Sequence, residues 1–269
     1  MTIKRVLSIA GSAAQGSAGI QADLKTFQER DVYGMAAITA IVANNSKTNN
    51  GIFIHSIEEI EAQYHAAIEH VGVDAIKSGM LFSKEIIERV ALLLEEAPTD
   101  NIVVDPVMIG KMGSQLLHED AIVAVREKLI PIAKIITPNL HEAAKLLEVE
   151  PIKTVAKMKD AAERLHQLGS RYVLIKGGAL DGEAVDVLFD GRSFTSYSQP
   201  RINTIHTSGA GCSYSSAIAA ELAKGKVVEE AIRLAKDYVH AGITYALSFD
   251  RGIGSTYHAA LRKYGLPEG

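Results

Sequence analysis

The amino-acid sequence predicts an α/β fold, in which a mainly parallel sheet is covered by helices on both faces. Short β-rich runs alternate with helical patterns along most of the chain, as is typical of parallel strands joined by crossover helices. The 269 residues, 47% of them hydrophobic, are enough for one sizeable buried core. Because no linker-like stretch or internal repeat divides the chain, we expect a single domain over residues 1–269.

The strands are predicted from short runs of β-branched and apolar residues. Six such runs are found, at residues 6–10, 37–42, 75–79, 102–105, 135–137 and 172–176. Beyond Gly177 the pattern changes, and residues 184–189 and 192–197 predict a hairpin that turns at Asp190-Gly191.

Helices are predicted in the gaps between these runs. Ser56 and Glu59 form a capping-box pattern that opens a helix through His70, and Ser83 opens another through Glu96. The alanine-rich run at residues 214–222 predicts a late helix that, with those after it, closes the fold.

The only cysteine, Cys212, lies just before that late helix, after glycines at 209 and 211. These glycines let the backbone turn tightly and point successive N–H groups into one concavity, where the helix N-terminus also favours an anion. The same position favours a thiolate, so Cys212 could act as a base or nucleophile at neutral pH. The alternative is a small buried cysteine beside an ordinary glycine loop.

Composition narrows the classes of function. The formal net charge is −4 and no dense run of Lys and Arg occurs, which argues against nucleic-acid binding. No apolar segment reaches membrane-spanning length, and the first residues lack a secretory pattern. One cysteine cannot form an internal disulfide, so we expect a cytoplasmic protein. The nine histidines show no zinc-binding spacing.

Polar or glycine-containing segments follow each predicted strand, where an open α/β sheet binds its ligands. Each alone is also a common turn sequence, and their shared placement is what favours a site. They are Gly11-Ser12, Asn44-Asn45, Gly79-Met80, Asp105, Pro138-Asn139 and Lys176-Gly177-Gly178.

Eight segments along nearly the whole chain form a specific combination: residues 10–12, 18–27, 77–81, 105–108, 137–143, 176–178, 203–207 and 209–212. This combination resembles the hydroxymethylpyrimidine/phosphomethylpyrimidine kinases of the ribokinase-like superfamily, and their relatives the vitamin B6 kinases. The resemblance implies a ribokinase-like three-layer α/β/α sandwich. It also implies transfer of the γ-phosphoryl group of ATP to a hydroxymethyl group, or to the phosphate already placed on it, with Mg²⁺ as cofactor.

The resemblance also assigns residues to the phosphate side of the site. It implies that the turn of Gly209, Ala210 and Gly211 supplies amide donors and that Cys212 is catalytic, where most of the superfamily has an aspartate base. Residues that bind ATP are expected at Lys176, Asn139, Glu142, Asp105 and Thr207. Of these, Glu142 and Asp105 are expected to hold Mg²⁺, partly through water.

The substrate residues implied by the resemblance are Gly11, Ala18, Asn44, Met80 and Val107. A flat heteroaromatic ring needs apolar walls and a few fixed polar groups, and Asn44 offers both an acceptor and a donor. Asn44 and the asparagine after it are otherwise read as a turn. Residues 108–114 are expected to form a lid over the phosphates.

The chain departs from the family pattern mainly on the substrate side. Ala13 replaces an acid, Ser17 a glycine, Asn44 a glutamine and Ser208 a histidine. Gly110 stands where some vitamin B6 kinases have a second cysteine, so a two-cysteine mechanism is excluded. We therefore expect altered specificity with the phosphate-handling residues kept.

Three functions follow, in this order. The first is phosphorylation of 4-amino-5-hydroxymethyl-2-methylpyrimidine, its monophosphate, or both, in thiamine biosynthesis. The second is a pyridoxal or pyridoxine kinase, and the third a non-catalytic protein that binds a nucleotide or vitamin. The expected partners are a small vitamin precursor and a second copy of the chain, as relatives are commonly dimers.

Overall fold

In the computed structural model, which describes residues 3–108 and 117–267, one mixed sheet runs through the centre of the protein. Its strands stand in the order β3-β2-β1-β4-β5-β6-β7-β8-β9. The pairs from β2 through β1, β4, β5 and β6 to β7 are parallel, and β3, β8 and β9 are added antiparallel. The strands are β1 Arg5–Ala13, β2 Tyr33–Val42, β3 Ile52–Ile54, β4 Ala75–Ser78, β5 Ile102–Val104, β6 Ile135–Ile136, β7 Tyr172–Ile175, β8 Ala184–Phe189 and β9 Phe194–Gln199.

Helices cover both faces of this sheet, which gives the predicted three layers. The helices are α1 Gly19–Glu29, α2 Ile57–His70, α3 Lys84–Glu95, α4 Glu119–Ala124, α5 Leu140–Leu147, α6 Val155–His166, α7 Ala210–Ala223, α8 Val228–Thr244 and α9 Ala260–Tyr264, with a π-helical turn at Val125–Leu129. One apolar core lies between the sheet and α2 to α6, and a second lies between the sheet and α1, α7 and α8. None of the described helices is long and apolar enough to cross a membrane.

All six predicted strands are present, and so is the hairpin, as β8 and β9. The capping box of Ser56 and Glu59 opens α2, and the Ser83 hydroxyl accepts a hydrogen bond from the amide of Ile86 at the start of α3. The three-residue edge strand β3 was not predicted. The late helix begins earlier than expected, at Ala210, so Cys212 lies inside its first turn.

The first turn of α7 is braced by the C-terminal segment. The Ser213 hydroxyl lies 3.0 Å from Nε2 of His258, and both side chains are buried. Burial lowers the pKa of His258 to about 4, and the nearby Lys25 acts in the same direction. The imidazole is therefore neutral at pH 7 and titrates only in acid.

We expect acid to destabilise the protein through His258. Its pKa in the fold is about 4, below the ordinary 6.5, so the stability contributed by the neutral ring is complete above pH 6.5 and is lost as pH falls towards 4. The linked change in unfolding free energy is about 3 kcal/mol. Urea unfolding across this range should show a smaller loss for His258→Gln than for the parent. The exposed His65 provides the control variant His65→Gln, and parallel profiles for the parent and His258→Gln would contradict the assignment.

Candidate active site

Three neighbouring parallel strands place the predicted phosphate-binding residues at one edge of the sheet. Asp105 directly follows β5, Asn139 lies just beyond β6, and Lys176 follows β7. The backbone holds them together, because the Lys176 amide donates to the Pro138 carbonyl at 2.9 Å. The carboxyl ends of parallel strands meet at one edge, which explains why distant residues come together here.

Asp105 and Lys176 form a buried ion pair. The Lys176 ammonium lies 2.7 Å from Oδ1 of Asp105, whose side chain is 2% exposed. The same carboxylate accepts hydrogen bonds from the hydroxyls of Thr137 at 3.2 Å and Ser215 at 3.1 Å. Burial by itself would lower the pKa of Lys176, but the carboxylates of Asp105 and Glu142 outweigh it and raise that pKa. Lys176 is therefore a fixed positive charge.

Asn139 and Glu142 form a capping box at the start of α5. The Asn139 side chain accepts from the Glu142 amide at 2.9 Å, and Glu142 Oε2 accepts from the Asn139 amide at 2.8 Å. Burial raises the pKa of Glu142 to about 7, opposed by Lys176 and reinforced by Asp105. Two buried carboxyl groups thus share one ammonium, an arrangement that favours a further cation.

The turn before α7 has the geometry of an anion site. Gly209 has a φ of +83°, and a Cβ there would lie 1.7 Å from the Ser17 carbonyl oxygen, so only glycine fits. The amide of Ala210 donates to the Thr207 carbonyl at 3.2 Å, whereas no described residue accepts from the amides of Gly211 and Cys212. A Cβ on Gly211 would lie 3.5 Å from the Lys176 ammonium nitrogen. Two open amides and a cation therefore face the same space.

A cavity of about 490 Å³ opens beside this turn. Its lining includes the predicted Asn139, Lys176, Thr207, Ala210 and Gly211. This volume lies within the range of small-molecule sites.

The far wall of the same cavity contains a second buried ion pair, which the sequence analysis missed. Lys236 of α8 lies 2.6 Å from Oδ2 of Asp186 in β8, and Oδ1 of Asp186 accepts from the Gly177 amide at 2.9 Å. This pair fixes the turn after Lys176. Only the spacing of two residues fifty positions apart would have revealed it.

The thiol of Cys212 differs from the expectation. Burial raises its pKa, and although Lys77 and a hydrogen bond from the Gly19 amide lower it, they do not offset burial. The prediction that its helix N-terminus favours a thiolate at neutral pH is therefore wrong for this ligand-free state. The reason is that α1 and the sheet enclose the first turn of α7, so the sulfur lies half-buried.

The predicted substrate residues lie on loops at the same edge of the sheet. A Cβ on Gly11 would lie 3.1 Å from the Met80 methyl carbon, and Ala18 caps α1 beside them. Val107 follows Asp105 and is partly exposed. Asn44 is exposed, and its side-chain oxygen packs against Gly51. Gly110 and all of the predicted lid except Met108 lie outside the described residues.

The comparisons with known proteins agree with this geometry. The family model described as phosphomethylpyrimidine kinase matches residues 14–257. A pyridoxine kinase of Bacillus subtilis is 45% identical, over 97% of this chain and 98% of the relative. A hydroxymethylpyrimidine/phosphomethylpyrimidine kinase of the same organism is 41% identical, over 99% of this chain and 98% of the relative.

Solved structures show the same fold. The pyridoxal kinase of Bacillus subtilis, solved as an ADP complex, superposes with a TM-score of 0.93 at 44% identity, over 97% of this chain and 100% of that chain. The pyridoxal kinase of Staphylococcus aureus, solved with AMP-PCP and pyridoxal, gives 0.92 at 36% identity, over 99% and 97%. The ribokinase-like prediction for the fold is therefore confirmed.

Proposed function

The chain belongs to the phosphomethylpyrimidine kinase family, and we propose that it phosphorylates 4-amino-5-hydroxymethyl-2-methylpyrimidine, its monophosphate, or both, from ATP. Its relatives are kinases, so the protein is a phosphotransferase rather than the non-catalytic binder that the loop departures left open. The single observation that carries the proposal is the convergence of Lys176 and the open amides of Gly211 and Cys212 on one cavity.

Phosphoryl transfer needs positioning and neutralisation of charge more than covalent chemistry by the protein. We assign the ATP phosphates to the amides at the start of α7, with Lys176 beside them and the nucleoside in the 490 Å³ cavity. The acceptor alcohol then lies on the side of Gly11 and Met80. Its oxygen forms a bond to the γ-phosphorus as the bond to the ADP oxygen breaks, and we assign its proton to the Cys212 sulfur.

The donor set fits a magnesium ion. Asp105 and Glu142 are hard oxygen donors whose combined charge Lys176 only half neutralises. Among the described residues no three acidic, His or Cys side chains are grouped closely enough to hold a metal, so water and ATP phosphates would complete its shell. When bound, Mg²⁺ supplies neutralisation of phosphate charge, while Asp105 and Glu142 hold it.

A specific observation favours pyridoxal or pyridoxine as the second candidate. The pyridoxine kinase relative is 45% identical and the pyridoxal kinase structure superposes at 0.93. Asn44, in place of the glutamine expected from the thiamine enzymes, also leans this way. A coupled ADP-release assay should compare the pyrimidine alcohol, its monophosphate, pyridoxal and pyridoxine. A much higher kcat/KM for either B6 vitamer would replace the first proposal with the second.

Asn44→Gln should shift the substrate preference towards the pyrimidine. The added methylene extends the amide from its position against Gly51 towards the ring site, where one hydrogen bond is worth about threefold to tenfold in kcat/KM. We expect the ratio of kcat/KM for the pyrimidine over pyridoxal to rise by that factor. Asn45→Gln is the matched control, because Asn45 bonds only within its own loop in the described contacts. An unchanged ratio, or an equal rise in the control, argues against contact between residue 44 and the ring.

Three coarser expectations remain proposals. We expect residues 1–269 to act as a single kinase domain, to assemble as a homodimer and to work in the cytoplasm. A sedimentation experiment on the purified chain tests the second.

A further inference from the structure

A lysine lies where the sheet should be most apolar. Lys77 belongs to β4, between β1 and β5, and its side chain is fully buried. Burying an ammonium group is costly unless it is paired, so its retention calls for a physical reason. The sequence carried the signal, because a charged residue in a central parallel strand is unusual.

One carboxylate holds this ammonium in place. The Lys77 nitrogen lies 2.9 Å from Oδ2 of Asp23, which is fully buried on α1. The same oxygen accepts from the Ser8 hydroxyl at 2.6 Å, and Oδ1 accepts from the Ser216 hydroxyl at 2.7 Å. Because Ser216 belongs to α7, this network joins the sheet, α1 and the helix that carries Cys212.

The ammonium lies towards the reacting end of the sheet. A Cβ on Gly79 would lie 2.8 Å from the Lys77 nitrogen, and Gly79 directly precedes the predicted substrate residue Met80. Cys212 lies four residues before Ser216 and therefore one turn nearer this end, on the same face of α7. The sulfur accordingly faces the buried lysine.

Four charged groups act on this sulfur from the elements packed around it. Lys77 in β4 and Lys176 after β7 are positive, whereas Asp23 in α1 and Asp105 after β5 are negative. Lys176 is already paired with Asp105 at 2.7 Å and lies against Gly211 on the phosphate side. Lys77 has the larger opposing effect on the burial of the sulfur, and it lies on the substrate side.

We propose that Lys77 is a positioning residue for phosphoryl transfer, whose buried ammonium, held by Asp23, stabilises negative charge on the Cys212 sulfur. This proposal rests on the role assigned to Cys212 under the proposed function. In the transfer step the sulfur takes the proton of the acceptor alcohol, so it must first lose its own proton to solvent. Lys77 keeps its proton throughout, and it acts only through its charge.

The test uses the fact that Cys212 is the only cysteine in the chain. Alkylation by iodoacetamide consumes the thiolate, so its rate at a given pH follows the thiolate fraction. Lys77→Met keeps the length of the side chain and removes its charge. We expect alkylation of the folded variant at about pH 8 to slow by about tenfold or more, which corresponds to one pKa unit, with kcat falling and the KM for ATP nearly unchanged.

Two further variants separate charge from packing. Lys77→Met combined with Asp23→Asn leaves no unpaired buried charge, so it stays interpretable if the single variant does not fold; its alkylation should be slower than the parent's but faster than the single variant's. Arg30→Gln breaks the buried pair of Arg30 with Glu221 near the far end of α7 and should lower the melting temperature without changing alkylation. Alkylation in denaturing urea should be equal for all chains.

The outcomes are distinct. A folded Lys77→Met protein that alkylates at the parent rate overturns the proposal, as does equal slowing in Arg30→Gln. If Lys77→Met does not fold, a double variant that alkylates at the parent rate overturns it. Full activity of Cys212→Ala overturns the catalytic role of the sulfur instead, whatever alkylation shows.

Discussion

Cys212→Ala should lower kcat by about 100-fold to 10,000-fold, which is the usual contribution of a positioned proton acceptor. The KM for ATP should change little, because the phosphates are assigned to the backbone amides of Gly211 and Cys212, and an alanine at 212 keeps both amides. Steady-state kinetics with ADP release as the readout measures the two constants separately.

The control for this prediction is Cys212→Ser, which keeps the size of the side chain and a proton but loses the acidity of the thiol. We expect it to be nearly as slow as the alanine variant. If both variants keep kcat within about threefold of the parent, the sulfur does not take part in transfer and its half-buried position reflects packing alone.

Local patterns determined most of the fold. The apolar runs that became β1, β4 and β5 are buried on both faces, so their hydrophobicity is continuous and easily recognised. The edge strand β3 has only three residues, of which Phe53 and Ile54 are exposed, and it exists because β2 offers free hydrogen-bonding groups. A pattern based on burial does not detect such a strand.

The site was predictable where function depends on backbone geometry or on one conspicuous residue. Gly209 is an example, since its positive φ and its close approach to Ser17 exclude any side chain. The pKa of Cys212 was not predictable in this way. The sequence places the thiol at a helix N-terminus, but the burial that raises its pKa comes from α1 and the sheet, and only the tertiary structure reveals it.

The paired charges were the other feature that required the fold. Asp186 and Lys236 are fifty residues apart, as Asp23 and Lys77 are fifty-four apart, and neither spacing indicates contact. By contrast, the resemblance to a known family brought Asp105 and Lys176 together correctly, and they form the ion pair at the centre of the phosphate side.

Lys176→Met should lower kcat/KM for ATP by about 100-fold or more, because a cation fixed beside the phosphates stabilises the charge that shifts during transfer. The loss should appear in both KM and kcat, unlike that of Cys212→Ala. The same change leaves the buried carboxylates of Asp105 and Glu142 without their ammonium, and loss of one partner of a buried pair costs about 3–5 kcal/mol of stability.

A second substitution separates these two effects. Adding Asp105→Asn to Lys176→Met removes the uncompensated carboxylate, while an amide at 105 can still accept from Thr137 and Ser215. We expect the melting temperature to recover much of its loss and the activity to stay low, because the cation beside Gly211 is still missing. If activity returns together with stability, Lys176 serves only to neutralise Asp105, and the charge that the transferred phosphoryl group requires is supplied by another group.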